Sequence, residues 1–112
     1  MGRISKEMRL RKRAEFVAVQ SDGKKLHGRH VLVLARKRRD PEASGRLGIT
    51  VTKKVGNAVV RNRIKRYVRE WMRLHGWVPA GWDIVVVAKD SAARQVHPDD
   101  FAPDLMKILR QL

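Results

Sequence analysis

The chain has 112 residues, no cysteine and a formal net charge of +15, with 26 lysines and arginines against 11 acidic residues. This length predicts one hydrophobic core and a single domain over residues 1–112, and the missing cysteine excludes disulfide bonds and thiolate metal sites. No stretch reaches the ~18 consecutive apolar residues of a membrane helix. The N-terminal residues also lack the apolar run of a secretory signal, so we expect a cytoplasmic protein with no membrane partner.

The positive charge is confined to the first two thirds of the chain. Residues 1–73 hold 22 lysines and arginines and six acidic residues, whereas residues 74–112 hold four basic and five acidic residues. Charge gathered in this way raises repulsion within the folded chain and is typical of a protein whose partner is a polyanion.

The first 45 residues predict one helix and one strand. Residues 1–12 form a predicted basic arm, and a short helix is expected over 13–21, because its apolar residues lie three apart and Gly23 can end it. Residues 29–35, RHVLVLA, are rich in β-formers and predict a strand. The polar stretch 36–45 contains a proline and a glycine and predicts a turn.

The later part of the chain predicts two more strands and a final helix. Residues 47–52 alternate between large apolar and small residues, as in a strand with one buried face. Residues 83–88, DIVVVA, show no polar alternation and predict a strand covered on both faces. Pro103 is expected in the first turn of the final helix or at a kink. The apolar residues at helical spacing that predict this helix are Phe101, Leu105, Ile108 and Leu112.

A long basic helix is predicted between Asn57, a good N-cap, and Gly76, a good C-terminal stop. One face is apolar and comprises Val60, Ile64, Tyr67, Val68, Trp71 and Leu74. The opposite face, which we call the basic ridge, comprises Arg61, Asn62, Lys65, Arg66, Arg69 and Arg73, with Arg63 at its edge. His75, at the end of this helix, is expected to support its C-terminus.

Such a ridge can be simply a solvated helix face, or it can bind phosphates. Glu70 is the only acidic residue within 53–73, so few acid–base pairs offset the repulsion between like charges. Asn62 is a poor helix former in mid-helix. Both features cost stability, and phosphate binding is the interpretation that explains why the sequence accepts them.

The stretch KKVGNAVVRNRIKRYVREWMR (53–73) closely resembles the signature of the bacterial ribonuclease P protein subunit, centred on Arg61-Asn62-Arg63. RLRKRAEF (9–16), RLGITVTKKVGNAVVRNRIKR (46–66) and PAGWDIVVVAK (79–89) resemble further segments of that family. The resemblance implies an α+β fold: an α/β sandwich with a central, mostly antiparallel four-stranded sheet, three helices and a left-handed βαβ crossover. Periodicity alone predicts the usual right-handed crossover.

The family removes the 5′ leader of precursor tRNA by endonucleolytic cleavage, and its catalyst is an RNA subunit that holds magnesium ions. The resemblance therefore implies ribonuclease P RNA and precursor tRNA as partners, no obligatory protein partner, and no catalytic, cofactor-binding or metal-binding residue in the protein. Contacts with the RNA subunit are implied for Lys54, Asn57, Arg61, Asn62, Arg63, Lys65, Arg66 and Arg69. Leader contacts are implied for Arg11, Lys12, Arg13, Phe16, Thr52, Lys53 and Lys89.

Two positions differ from the family's usual pattern. Members often carry a second aromatic residue where this chain has Gln20, and an aromatic residue in the first strand, where this chain has Val31, Leu32 and Val33. Base stacking in the leader cleft is therefore expected to be weaker, with Phe16 and charge carrying more of the binding. Phe16 has an alternative role as a core anchor of its helix.

The residues themselves agree with a protein that lacks its own chemistry. The four histidines are scattered and the acidic residues form no cluster of the kind a two-metal nuclease needs. The tryptophans are expected to pack in or beside the core. Two alternatives remain: a small ribosomal RNA-binding protein, which fits the size and charge equally well, and a nuclease that acts without RNA.

Overall fold

The computed structural model describes residues 6–112 and contains three helices and four strands. The helices are α1 (Arg13–Asp22), α2 (Ala58–Leu74) and α3 (Ala102–Leu109), and the strands are β1 (Lys24–His27), β2 (Val31–Lys37), β3 (Arg46–Thr50) and β4 (Trp82–Ala88). Short 3₁₀ turns cover Lys6–Met8, Asp90–Arg94 and Pro98–Phe101. None of the helices within residues 6–112 combines the length and the apolar character needed to cross a membrane.

The four strands form one sheet in the order β1-β2-β4-β3. The β1–β2 and β2–β4 pairs are antiparallel, and β3 pairs with β4 in parallel. The mostly antiparallel four-stranded sheet with three helices is therefore confirmed. Helix α2 connects the parallel pair, and the left-handed sense of this crossover stays a prediction.

Helices cover both faces of the sheet. The main core lies between one face and helices α2 and α3, where Val33 and Val86 meet Val68 and Leu105. A smaller core on the other face is made by Leu10, Val19, Leu34 and Val85 under α1. Neighbouring residues of β4 thus belong to different cores, which explains its unbroken run of apolar residues.

Helix α2 has the two ends that the sequence predicts. The Asn57 side chain accepts a hydrogen bond from the backbone N–H of Val60 (3.0 Å). At the other end, Nδ1 of His75 lies 2.8 Å from the carbonyl oxygen of Trp71, and the two rings stack with centres 4.2 Å apart. Gly76 follows with a φ of +94°, the left-handed conformation that glycine adopts most readily.

Most of the predicted apolar face of α2 packs as expected. Ile64, Val68 and Trp71 are buried, and Tyr67 is partly buried against the core. The placement of Leu74 in that face was wrong, because its side chain is 61% exposed in the last turn. The packing role of the tryptophans is confirmed, since Trp71 and Trp77 are buried and Trp82 packs against the main core.

The turn between β1 and β2 is fixed by a residue far along the chain. Asp104 of α3 is buried, and its carboxylate accepts backbone N–H bonds from Arg29 (2.9 Å), His30 (2.7 Å) and Val31 (3.2 Å). Residues 29 and 30 therefore belong to this turn, although the sequence predicted them in the strand. The preceding strand β1 was not predicted.

The predicted basic arm is partly attached to the sheet. Residues 1–5 lie outside the described part of the chain. Leu10 is buried, and its backbone N–H donates to the carbonyl of Leu47 in β3 (3.0 Å). Because β3 is an edge strand, residues 9 and 10 cover part of its open side.

Candidate nucleic-acid interface

The basic ridge lies on the side of α2 that faces away from the core. Asn62 and Arg66 are exposed, and Arg61, Lys65 and Arg69 are half-buried along its flanks. The Arg66 guanidinium lies 5.5 Å from the ring centre of Tyr67, within cation–π range. These side chains present positive charge along one line.

Two arginines of the helix already have protein partners. Nη2 of Arg63 donates to the carbonyl oxygen of Ala93 in the segment after β4 (2.7 Å). Arg73 pairs with Glu70, and this hydrogen bond lowers the pKa of the Glu70 carboxyl. Arg63 therefore contributes to the fold as well as to the charge of the surface, and the charge of Arg73 is partly offset.

The residues that lead into α2 are also placed at this surface. Lys54 is exposed in the turn before the helix, and Asn57 is exposed at its start. The Asn57 side-chain oxygen is occupied by the helix cap. The side-chain NH2 group of Asn57 remains able to donate to a partner.

A second surface lies beside α1, on the opposite face of the sheet. It is an open groove of about 500 Å³, here called the α1 groove, and its lining residues are Arg11, Arg13, Phe16, Val17, Gln20 and Thr50. Three of the predicted leader-binding residues, Arg11, Arg13 and Phe16, therefore come together in one place. Gln20, where the resemblance predicted an aromatic residue, lines the same groove.

The ring of Phe16 lies directly over Gly48 of β3. A Cβ atom added to Gly48 would lie 2.5 Å from Cε1 of Phe16 and 2.8 Å from Cζ. The ring also packs against the smaller core while it remains partly exposed. Phe16 thus serves both as a packing residue and as a wall of the groove, and Gly48 provides the space for it.

The other predicted leader-binding residues lie outside the α1 groove. Lys12 is exposed just before α1, and Thr52 and Lys53 are exposed in the turn after β3. Lys89 follows β4, and its Nζ donates to the carbonyl oxygen of Gly28 (2.7 Å). Because β3 and β4 are parallel, the residues that follow them lie at the same edge of the sheet, but Lys89 is engaged by the fold.

A smaller recess of about 220 Å³ joins the two surfaces across the edge of β3. Its basic residues come from two elements, Arg9 and Arg11 from the N-terminal segment and Lys65 and Arg69 from α2. Phe16 lies in both this recess and the α1 groove. The ridge and the groove therefore form one continuous basic surface. Arg9 belongs to the predicted basic arm but was not among the predicted RNA-binding residues.

Comparison with known proteins agrees with this architecture. The family model of ribonuclease P matches residues 4–112. The chain belongs to the ribonuclease P protein family. Among curated members, the ribonuclease P protein component of Desulfovibrio desulfuricans is 40% identical over 111 residues, which cover 97% of this chain and 85% of that protein. The component of Desulfosudis oleivorans is 50% identical over 90 residues, covering 80% of this chain and 73% of that one.

Solved structures of the family have the same fold. The RNase P protein of Staphylococcus aureus superposes with a TM-score of 0.82 at 32% identity, covering 94% of each chain. The RNase P protein of Thermotoga maritima gives a TM-score of 0.79 at 35% identity, covering 93% of this chain and 96% of that one.

Proposed function

We propose that this chain is the protein subunit of ribonuclease P and assists the endonucleolytic removal of the 5′ leader from precursor tRNA. In this proposal the basic ridge binds the catalytic RNA subunit and the α1 groove holds the leader, in the cytoplasm. The observation that carries the proposal is a basic surface with two distinct regions, the ridge on one face of the sheet and the α1 groove on the other, joined across the edge of β3 in a chain of this family. One has the charge for a folded RNA, and the other has an aromatic ring for a single strand.

The ridge fits the backbone of a folded RNA. Arg61, Lys65, Arg66 and Arg69 lie on one rigid helix, and within residues 6–112 none of these four side chains forms an ion pair with an acidic residue. Arginine binds phosphate through two parallel hydrogen bonds and also stacks on bases. A row of such groups favours RNA because binding releases condensed counterions.

The α1 groove fits a single strand of any sequence. Phe16 offers a ring face on which a base can stack, and Arg11 and Arg13 can neutralise the adjoining phosphates. A leader varies in sequence from one tRNA precursor to the next, so recognition through stacking and charge suits it better than recognition of base edges.

The chemistry of cleavage is assigned to the RNA subunit and the magnesium ions that it holds. Within residues 6–112, histidine and acidic side chains form no group of three or more that could hold a metal ion.

Reconstitution tests the proposal. The pure protein is mixed with a bacterial ribonuclease P RNA, precursor tRNA and magnesium, and leader release is followed at low and at physiological salt. We expect the protein to raise the affinity for precursor tRNA and to release no leader without the RNA. Release by the protein alone, or no effect of the protein on the RNA, would refute the proposal.

The reaction of the pure protein without the RNA subunit also bears on RNA degradation by the protein itself. One solved relative is described as a Staphylococcus aureus RNase P protein mutant with defective mRNA degradation activity, and it superposes with a TM-score of 0.79 at 31% identity.

The alternative of a ribosomal RNA-binding protein is tested by identifying the RNA that co-purifies with this chain. Ribosomal RNA would favour that alternative, and a stable RNA of another kind would favour ribonuclease P.

A further inference from the structure

Arg46, the first residue of β3, joins three elements of the fold. Its Nε and Nη2 donate to the two carboxylate oxygens of Asp83 in β4, at 2.8 and 2.7 Å. Its Nη1 donates to Oε2 of Glu15 in α1, at 2.6 Å. Asp83 is 4% exposed, so the pair is anchored in the interior of the protein.

Glu15 carries this connection to the start of α1. Its other oxygen, Oε1, accepts the backbone N–H groups of Lys12 (2.9 Å) and Arg11 (3.0 Å). These two bonds, and then the charge of Arg46, hold the pKa of the Glu15 carboxyl below its ordinary value. One carboxylate therefore ties the backbone at the beginning of α1 to the sheet.

Two other contacts near the first turn of α1 are not ion pairs: the backbone N–H of Leu10 donates to the carbonyl of Leu47, and Phe16 packs against the smaller core. The smaller core under this helix has only four buried residues, and Val19 is the only one of them from α1. At the other end of the helix, Asp22 and Arg36 form an exposed pair at 3.5 Å, and such surface pairs contribute little. Among the described residues, the contact of Arg46 with Glu15 is thus the ion pair that attaches the end carrying Arg11, Arg13 and Phe16 to the sheet.

We propose that Arg46 is a positioning residue for leader binding: it holds the first turn of α1 against the sheet, so that Phe16 and the two arginines of the α1 groove stay aligned. This inference rests on the proposed function of that groove. Three of the five N–H donors of Arg46 are engaged by Asp83 and Glu15, and its side chain is 22% exposed, so the role proposed for it is to position α1 and not to contact the RNA.

The substitution Arg46→Lys tests the proposal without changing the net charge. Lysine cannot donate to both carboxylates with the planar fork of arginine. We expect the assembled enzyme to lose about three- to tenfold of its preference for precursor over mature tRNA, a part of what base stacking contributes. The affinity for the RNA subunit should be unchanged. Arg39→Lys, an equal change at an exposed turn residue, should alter neither quantity.

A second variant keeps the test valid if Arg46→Lys does not fold. Glu15→Gln breaks the link to α1 and leaves the Arg46–Asp83 pair in place. We expect the same loss of precursor preference. Asp22→Asn removes one negative charge, as Glu15→Gln does, but at the exposed end of the same helix, and it is the matched control.

A double variant separates positioning from a general effect on the fold. If Arg46 acts through Phe16, then Arg46→Lys should cause little further loss of preference once Phe16→Ala is present. Full additivity of the two losses would overturn the inference. It would also be overturned if Phe16→Ala lowers the preference while folded Arg46→Lys and Glu15→Gln both retain it. If Phe16→Ala itself retains the full preference, the groove assignment fails and this inference fails with it.

Discussion

Replacing Gly48 by alanine should move the Phe16 ring out of its place. The added Cβ would lie 2.5 Å from Cε1 and 2.8 Å from Cζ of the ring, and 3.2 Å from Cβ of Leu10. Carbon atoms cannot approach so closely, so one of these groups must shift. The ring is the part that can, because the close atoms lie at its free end and the open α1 groove lies beside it.

The size of the effect follows from this geometry. Overpacking costs about 1–3 kcal/mol, and the lower end applies because the ring can pivot without moving the backbone. A loss of about 1 kcal/mol lowers Tm by roughly 5 °C in a chain of this size. Precursor preference should fall by more than stability suggests, since the ring leaves the position in which it can stack on a base.

The control for Gly48→Ala reverses the sign of the stability change. With Phe16→Ala already present, the ring no longer fills the space over Gly48 and only Cβ of Leu10, at 3.2 Å, stays close. Alanine in a strand also loses less conformational freedom on folding than glycine. The second substitution should then be neutral or should raise Tm. The unchanged chain, Gly48→Ala, Phe16→Ala and the double variant form a double-mutant cycle. For each of the four proteins, thermal melts and the affinities for precursor and mature tRNA are measured. If Gly48→Ala keeps both the Tm and the precursor preference of the unchanged chain, the ring is not held over Gly48.

Further predictions concern the ridge, the Asp104 contact and pH. If the ridge neutralises about six phosphates, a plot of the logarithm of RNA-subunit affinity against the logarithm of salt concentration should have a slope of about −4 to −5. A slope shallower than about −2 would exclude the ridge as the contact surface. Arg66→Ala should weaken RNA-subunit binding and lower Tm only slightly, because its cation–π contact with Tyr67 is exposed. Arg63→Ala should lower both the binding and the Tm more clearly, because it also removes the bond to Ala93. Equal melts of the two variants would contradict this difference. Asp104→Ala should lower the free energy of unfolding by about 2–4 kcal/mol in a denaturant titration, because three backbone N–H groups lose their acceptor. A loss below about 1 kcal/mol would refute this role. The pKa of Glu15 is lower in the folded chain than its ordinary value of 4.5. The contribution of Glu15 to stability is therefore fully present above pH 4.5, and it is lost as the pH falls through the folded pKa. The Tm difference between the unchanged chain and Glu15→Gln should therefore shrink on acidification below pH 4.5, and a constant difference would refute it.

Elements whose pattern extends over many consecutive residues could be predicted from the sequence. Helix α2 shows its apolar face, its cap and its stop within 20 consecutive residues, 57–76, and the structure has all three. Strand β1 was missed because it is an edge strand of four residues in which only Leu26 is buried. Leu74 was misplaced because helical spacing does not show where the core ends.

Features that depend on distant residues could not be predicted in this way. The ring of Phe16 and the space over Gly48 are 32 positions apart in the sequence, and Arg63 meets a carbonyl 30 residues further on. The resemblance to the family signature made Arg63 a member of the RNA-facing set. Only the folded chain shows that part of its guanidinium is engaged, while Arg66 next to it is exposed.

The attachment of residues 9 and 10 to β3 has a consequence for truncation experiments. An open strand edge offers unpaired backbone groups to any other strand, and proteins protect such edges with charged residues or with a covering segment. At one side of this sheet, β1 presents Lys24 and Lys25, which discourage pairing. At the other side, the N-terminal segment is the cover. Deleting residues 1–12 would therefore remove positive charge and also uncover a strand that can pair with a second molecule. A truncated protein that no longer binds RNA should first be examined for self-association, because aggregation through β3 would mimic the loss of an RNA contact.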